Sequence, residues 1–193
     1  MARALLRLLG WRVDFRGLPA PRGVLLVYPH TSNWDFCIGI LAKWAIGLPV
    51  RFWGKDSLFR VPLFGRWLRW VGGVPVDRTS SRGAVAGMAQ QMLAHQHFWL
   101  ALSPEGTRRL LPGWRSGFYR LALQAGVPLG MAYLDYAHKR VGVTEFFLPG
   151  GDESADLQRI ARAYAGREGL RPALAAPIRL LDAAVPRTDT IVK

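Results

Sequence analysis

The sequence contains one cysteine, Cys37, among its 193 residues. A single thiol cannot form an internal disulfide, so nothing in the composition requires an oxidising compartment. We expect that thiol to be buried and inert. The uncharged apolar runs fall short of the roughly 18 residues that a membrane-spanning helix needs, so no transmembrane helix is predicted. The first residues lack the cleavage site of a signal peptide, which favours a cytoplasmic protein.

Acidic residues are scarce, with 13 Asp and Glu against 26 Lys and Arg, which gives a formal net charge of +13. Of the basic residues, 22 are Arg, and residues 51–120 carry a net +8. Such a charge attracts nucleic acid, an anionic membrane face, or an acidic protein or substrate, and composition alone does not choose among them. Arginine binds phosphate and carboxylate through its planar fork, but a coding bias would produce the same excess.

Several catalytic motifs are absent. There is no phosphate-binding P-loop, no H-E-x-x-H and no C-x-x-C, and Ser116 does not have the G-x-S-x-G spacing of a hydrolase nucleophile. His95 and His97 lack a nearby carboxylate and are typical of surface residues, so no metal site is predicted. A nucleophile for any transfer reaction would therefore belong to the substrate.

Short apolar runs alternate with helical patterns along the chain. Extended runs cover residues 23–29, 50–54, 73–76, 98–103, 127–136 and 141–147. Helical patterns cover residues 35–47, 57–72 (interrupted by Pro62), 82–95, 116–125 and 154–165. Strands separated by helices predict an α/β fold with a mostly parallel mixed sheet flanked by helices. Residues 1–193 are interpreted as one domain, because about 190 residues suit a single core.

Polar residues follow the predicted strands, where an open α/β sheet binds its ligand. His30 lies on the loop after the first strand, and Asp35 falls in the first turn of the next helix. There, Asp35 can fix the tautomer of His30 and leave its other nitrogen as a general base. The alternative is a helix-capping Asp beside a turn His.

A second polar segment, residues 104–109 (Pro-Glu-Gly-Thr-Arg-Arg), follows another apolar strand. Glu105 is placed to pair with Arg108 or to accept a hydrogen bond from a substrate hydroxyl. Gly106 and Thr107 can expose backbone N–H groups to an anion. A simple polar turn is the alternative.

Four ordered blocks carry a family resemblance: residues 30–35 (His-x4-Asp), 54–65, 74–78 (Val-Pro-Val-Asp-Arg) and 104–108 (Pro-Glu-Gly-Thr-Arg). Over residues 23–135 the chain resembles the glycerolipid acyltransferases of the lysophosphatidic acid acyltransferase type. The resemblance implies a glycerol-3-phosphate acyltransferase-like fold. It also implies transfer of a fatty acyl group from acyl-CoA or acyl carrier protein to the free hydroxyl of 1-acylglycerol-3-phosphate or a related lysophospholipid. No cofactor, metal or acyl-enzyme is implied.

The resemblance assigns roles by position. His30 is the base that deprotonates the acceptor, and Asp35 orients it. Lys55 and Arg108 bind the acceptor's phosphate. The other residues implied to bind substrate are Arg78 and those that shape the glycerol pocket, Glu105, Gly106 and Thr107.

Two positions depart from the family pattern. Arg109 stands where the family usually has serine, which adds a positive charge near the acceptor head group. Residues 127–132 lack the second proline of the usual fourth block. The acceptor head group therefore stays open.

An enzyme with acylated substrates must reach a lipid interface, and two segments fit one. Residues 1–16 predict an amphipathic helix, in which Leu5 and Leu9 share with Val13 a face opposite two arginines. In residues 59–71, Trp67 and Trp70 alternate with arginines. We therefore expect peripheral binding to an anionic membrane surface on its cytoplasmic side. Helices packed on the domain, with solvated charges, are the alternative.

Two other functions are consistent with parts of the sequence. One is acyl transfer to a different acceptor, such as another lysolipid or an aminolipid. The other is a non-catalytic protein that binds anionic lipid or nucleic acid, because aromatic residues flanked by arginine occur in single-strand binders. The second leaves the ordered blocks unexplained, so no nucleic-acid partner is expected.

Overall fold

A computed structural model describes residues 1–76 and 81–181, without the side chains of residues 81 and 82. The strands of this part of the chain are β1 (Arg12–Asp14), β2 (Arg22–Val27), β3 (Val50–Lys55), β4 (Gly73–Val76), β5 (Phe98–Leu102), β6 (Leu129–Asp135) and β7 (Arg140–Phe147). Its α-helices are α1 (Ala2–Leu8), α2 (Trp34–Ile46), α3 (Asp56–Phe59), α4 (Phe64–Trp70), α5 (Ser81–Ala94), α6 (Gly117–Ala125) and α7 (Glu153–Ala163).

The seven strands form one sheet in the order β1-β7-β6-β2-β5-β3-β4. Every neighbouring pair is parallel except the β6–β7 hairpin, which is antiparallel. The predicted α/β class with a mostly parallel mixed sheet is therefore confirmed. The short edge strand β1 is an element that the sequence did not predict.

The sheet is covered on both faces, which is why its strands are apolar on both sides. Val24 and Leu26 of β2 pack in one core cluster with residues of α5, α6 and α7, whereas Leu25 belongs to a separate cluster on the other face. On that other face, α1 and α2 pack together through Leu6 and Ile38. This alternation follows from the two-residue period of a strand.

Glycine ends two of the helices that return the chain to the sheet, α2 and α6. Gly47 after α2 has φ +66° and Gly126 after α6 has φ +61°. A residue with a side chain seldom adopts this left-handed conformation. The predicted helix over residues 57–72 divides at Pro62, as expected, into α3 and α4.

The prediction of an amphipathic helix that includes Val13 is wrong beyond Leu8. Helix α1 ends at Leu8, and Gly10 turns the chain with φ +80°. Arg12 N–H then donates to the Lys139 carbonyl at 2.9 Å, so Val13 lies in strand β1 instead. Pairing with the exposed edge of β7 outweighs helix formation in so short a segment.

Two further findings concern the expectations about cysteine and membrane spans. Cys37 is exposed on α2, so the expectation of a buried thiol is wrong. Ile38 and Ala42 occupy the buried face of this helix. Among residues 1–76 and 81–181, no helix combines the length and the apolar character needed to cross a membrane.

Candidate active site

His30 and Asp35 are brought together by the loop that joins β2 to α2. His30 follows the carboxyl end of β2, and Asp35 lies in the first turn of α2. Nδ1 of His30 is 3.1 Å from Oδ2 of Asp35. The loop therefore brings the two side chains into contact. A continuous helix could not, because residues five apart on a helix point in different directions.

The carboxylate of Asp35 is almost fully buried and satisfied on both oxygens. Oδ2 also accepts a hydrogen bond from Ser32 N–H at 2.9 Å, and Oδ1 accepts one from the Tyr136 hydroxyl at 2.8 Å. Burial raises the pKa of Asp35, but the close contact with His30 and the hydrogen bonds from Ser32 and Tyr136 outweigh burial and hold that pKa below its ordinary value. Asp35 is thus a fixed anion behind the imidazole.

The imidazole of His30 lines a large open cleft of about 1540 Å³. Its Nδ1 atom is buried against Asp35, while the side chain as a whole is 18% exposed. The nitrogen left to face a substrate is therefore Nε2. A base oriented by a buried carboxylate and open on one side is the arrangement that general-base catalysis requires.

Among the described residues, Glu105 forms no ion pair with Arg108, and it is not among the residues that line the cleft, so its contact with substrate stays a prediction. Its side chain is 1% exposed. Oε2 accepts a hydrogen bond from His30 N–H at 2.8 Å, and Oε1 accepts one from Ala176 N–H at 2.9 Å. Burial raises the pKa of Glu105 to about 7, against these two hydrogen bonds, which lower it. Glu105 therefore holds the backbone of the His30 loop.

The neighbours of Glu105 differ from expectation in one respect. Gly106 N–H donates to the Ser103 carbonyl at 3.1 Å, so the turn uses the N–H that was expected to face an anion. Gly106, Thr107 and Arg108 all line the cleft. Arg108 Nε donates to the Ser32 carbonyl at 3.2 Å, which ties it to the loop between His30 and Asp35.

Lysine and arginine side chains make the polar part of the cleft strongly positive. Lys55, at the carboxyl end of β3, lies on its wall, and its role as a substrate-binding cation stays a prediction. Its other basic lining residues include Arg108, Arg109, Arg115 and Arg120. The ion pairs among the described residues involve none of these five cations. The cleft can therefore attract an anion.

Arg115 is a cleft residue that the sequence did not single out. A Cβ atom added at Gly106 would lie 3.2 Å from Nε of Arg115, so this guanidinium packs against the Pro-Glu-Gly-Thr-Arg turn. Arg115 N–H also donates to the Pro104 carbonyl at 2.9 Å. The only sequence signal is a basic residue shortly after that block.

Residues 168–176, which follow α7, form hydrogen bonds with residues that surround the His30–Asp35 pair. Arg171 N–H donates to Oγ1 of Thr31 at 3.1 Å, and Ala176 N–H donates to Glu105. The Glu168 carbonyl accepts from Tyr136 N–H at 2.8 Å. These are backbone contacts over long sequence separations, which side-chain patterns do not reveal.

Two site predictions remain to be placed. Arg78 lies outside the described residues. In the part of the chain that the structure describes, no group of three or more His, Cys, Asp or Glu side chains could hold a metal ion.

The structure thus places a His–Asp pair beside a cationic cleft on a mixed α/β sheet. The chain belongs to the Acyltransferase family, whose model matches residues 12–130. The resemblance that the four sequence blocks indicated is confirmed at the level of this family.

One solved structure is similar in fold. It is the 1-acyl-sn-glycerophosphate (LPA) acyltransferase PlsC from Thermotoga maritima, with a TM-score of 0.53 and 18% sequence identity. The similarity covers 84% of this chain and 71% of that chain. Among curated proteins, none matches this sequence significantly.

Proposed function

We propose that the protein transfers a fatty acyl group from a thioester to the free hydroxyl of 1-acylglycerol-3-phosphate or a close lysophospholipid. The observation that carries this proposal is the His30–Asp35 pair, open at Nε2 to a cleft lined by five cations that form no ion pair among the described residues. The base suits a hydroxyl nucleophile and the cations suit a phosphate. The described PlsC enzyme acts on lysophosphatidic acid, which supports this choice of acceptor.

The proposed reaction is a direct transfer between two substrates. Nε2 of His30 takes the proton of the acceptor hydroxyl as its oxygen attacks the thioester carbonyl. The buried Asp35 carboxylate stabilises the imidazolium that forms. The tetrahedral intermediate then expels the thiolate, which receives the proton from His30. An ester has formed, a thioester has broken and the enzyme is unchanged.

The donor is proposed to be acyl-CoA or acyl carrier protein, and no cofactor or metal takes part. Both donors are anionic around the thioester arm, so the positive cleft suits either. Transfer of a labelled acyl group from each donor to a series of lysolipids tests the function. An acceptor without phosphate, such as an aminolipid, separates the alternative acceptor from the proposed one.

Replacing Arg108 tests the proposed phosphate site. For Arg108→Gln we expect the KM for 1-acylglycerol-3-phosphate to rise about 10- to 100-fold, because a charge-assisted hydrogen bond to phosphate is lost. We expect the KM for the donor to change less than twofold. Initial rates at varied acceptor and donor concentrations measure both.

Arg159→Gln is the matched control, because Arg159 pairs with Glu145 on the surface at 3.0 Å. We expect this variant to keep both KM values. If Arg108→Gln leaves the acceptor KM unchanged, Arg108 does not bind the phosphate.

We further propose that the protein binds the cytoplasmic side of an anionic membrane through one apolar face, without crossing it. This apolar face consists of exposed side chains on α1, α2 and residues 58–70: Leu5, Leu8, Leu9, Trp34, Trp44, Leu58, Val61, Leu63, Phe64, Trp67 and Trp70. Leu63 is 78% exposed and Trp70 is 75% exposed. Exposed apolar area of this extent is typical of an interaction surface.

Ring contacts join this face into one surface. The rings of Trp44 and Trp70 are 6.0 Å apart, and Phe64 stacks on Trp67 at 5.6 Å. The Trp44–Trp70 contact links α2 to α4, and α1 packs beside α2 through buried Leu6. Tryptophan and arginine side by side suit the boundary between acyl chains and phosphate head groups.

Charge placed on the apolar face tests membrane binding. For the double variant Leu63→Glu, Trp70→Glu we expect at least a tenfold loss of binding to vesicles rich in phosphatidylglycerol, measured by sedimentation. The reason is that two apolar side chains proposed to enter the membrane are replaced by charged ones. Deletion of residues 1–16 is a poor test, since it would remove β1 and buried Trp11.

Leu123→Glu is the control for this experiment. Leu123 is exposed on α6, which packs on the other face of the sheet. If the control loses as much binding as the double variant, or if the double variant binds normally, the apolar face is not the membrane contact.

A further inference from the structure

Among the described residues, Tyr136 is the one partner of Asp35 that lies far from it in sequence. Its hydroxyl donates to Oδ1 of Asp35 at 2.8 Å, across 101 residues of chain. The other two partners, His30 and Ser32, belong to the same loop as Asp35. Tyr136 follows the last residue of β6 and lies beyond residues 12–130, which the family model matches.

The side chain of Tyr136 is held in place by its surroundings. Its ring meets the ring of buried Trp11 edge-on, with 4.9 Å between the centroids and 89° between the planes. Its backbone N–H donates to the Glu168 carbonyl at 2.8 Å. Thus Trp11 before the matched region and Glu168 after it both fix the position of the Tyr136 hydroxyl.

The hydroxyl acts on the geometry of the carboxylate. An Asp side chain can rotate about its terminal bond, and its two oxygens are chemically equivalent. A donor fixed at Oδ1 restrains this rotation and leaves Oδ2 facing Nδ1 of His30. A hydrogen bond to the ionised form also lowers the tendency of Asp35 to take a proton from the imidazolium.

We propose that Tyr136 is a positioning residue of the reaction, which holds Asp35 so that its other carboxylate oxygen faces the base His30. This role rests on the proposed function of His30. Tyr136 touches neither substrate nor the reacting atoms and acts only through Asp35. Burial and its bond to Asp35 raise the pKa of Tyr136, so the hydroxyl stays a donor throughout the pH range of an assay.

The test is Tyr136→Phe, which keeps the ring and its contact with Trp11 and removes only the hydroxyl. We expect kcat for acyl transfer to fall about 10- to 100-fold, the effect of losing one hydrogen bond to a charged group. We expect the KM values for donor and acceptor to stay within twofold. Rates are measured well below the unfolding temperature of each variant, so that lower stability does not affect them.

The chain offers a matched control three residues earlier. The Tyr133 hydroxyl donates to Asp14 at 2.7 Å, so Tyr133→Phe removes the same kind of bond to a carboxylate outside the catalytic pair. We expect its kcat to stay within twofold of the parent. An equal loss of kcat in both variants would show a general effect of hydroxyl removal and would contradict a positioning role.

A double variant shows whether the effect passes through Asp35. If it does, adding Tyr136→Phe to Asp35→Asn lowers kcat by less than twofold, because the two changes remove the same function. Multiplicative losses, or an unchanged kcat in Tyr136→Phe alone, would overturn the proposal. If the parent itself transfers no acyl group, the proposed function fails, which is a separate result.

Discussion

His30→Ala is expected to lower kcat for acyl transfer by about 10²- to 10⁴-fold, the usual contribution of a positioned general base. Its Nε2 is the imidazole nitrogen open to the cleft, and Nδ1 is buried against Asp35 at 3.1 Å. No other histidine has this combination of a buried partner and cleft access among the described residues. Turnover of purified variant and parent, with circular dichroism spectra that match, measures the effect.

His138→Ala is the matched control for this change. Nδ1 of His138 lies 2.9 Å from Oδ2 of buried Asp135, so it has the same kind of carboxylate partner, but its side chain is 68% exposed. We expect its kcat to stay within twofold of the parent. Activity retained in a folded His30→Ala variant would refute the assignment of His30 as the base.

Glu105→Gln is expected to lower kcat about 10²-fold and to cost about 1–3 kcal/mol in the free energy of unfolding. The carboxylate accepts one backbone N–H on each oxygen, from His30 and from Ala176. A carboxamide has one oxygen, so its NH₂ group would face one of these donors and that contact would break. The His30 backbone would then move relative to the cleft.

The surface change Glu145→Gln is the control, because Glu145 pairs with exposed Arg159 at 3.0 Å. An exposed pair contributes about 0–1 kcal/mol, so we expect near-parental stability and kcat. Initial rates and thermal unfolding measure both quantities. If Glu105→Gln matches Glu145→Gln in kcat, Glu105 does not position the base.

The pH dependence of stability gives a separate test of Glu105. Because burial raises the pKa of Glu105 to about 7 from its ordinary value of 4.5, the folded chain binds this proton more tightly than the unfolded chain. Its contribution to stability is therefore full below pH 4.5 and is lost as the pH rises through about 7.

Over that window, the slope of unfolding free energy against pH should be more negative in the parent than in Glu105→Gln. The largest expected difference is about 1.4 kcal/mol per pH unit. Denaturant unfolding at several pH values measures it. Equal slopes would show that Glu105 is ionised alike in the folded and unfolded chains.

The parts of the site that the sequence predicted are formed by residues close together along the chain. His30 and Asp35 are five residues apart, and the chain between them is a strand end, a turn and a helix start. The fold class followed from the same local information, since apolar periods of two and of about 3.6 residues alternate along the chain.

The parts that the sequence did not predict depend on distant contacts. Glu105 follows a strand, as substrate-binding residues do, yet its oxygens are occupied by backbone N–H groups up to 75 residues away. Tyr136 reaches Asp35 only because β6 lies beside β2 in the sheet. Similarly, α1 stops early because the chain pairs with β7, which lies more than 120 residues further along.

Acyl transfer by the full chain is the most direct test of the proposed function. The assay supplies anionic vesicles that contain 1-acylglycerol-3-phosphate and a donor labelled in the acyl group, either acyl-CoA or acyl carrier protein. We expect labelled diacylglycerol phosphate to form with at least one donor, and not with His30→Ala. The absence of transfer to any lysolipid from either donor, by folded protein, would contradict the function proposed for the His30–Asp35 cleft.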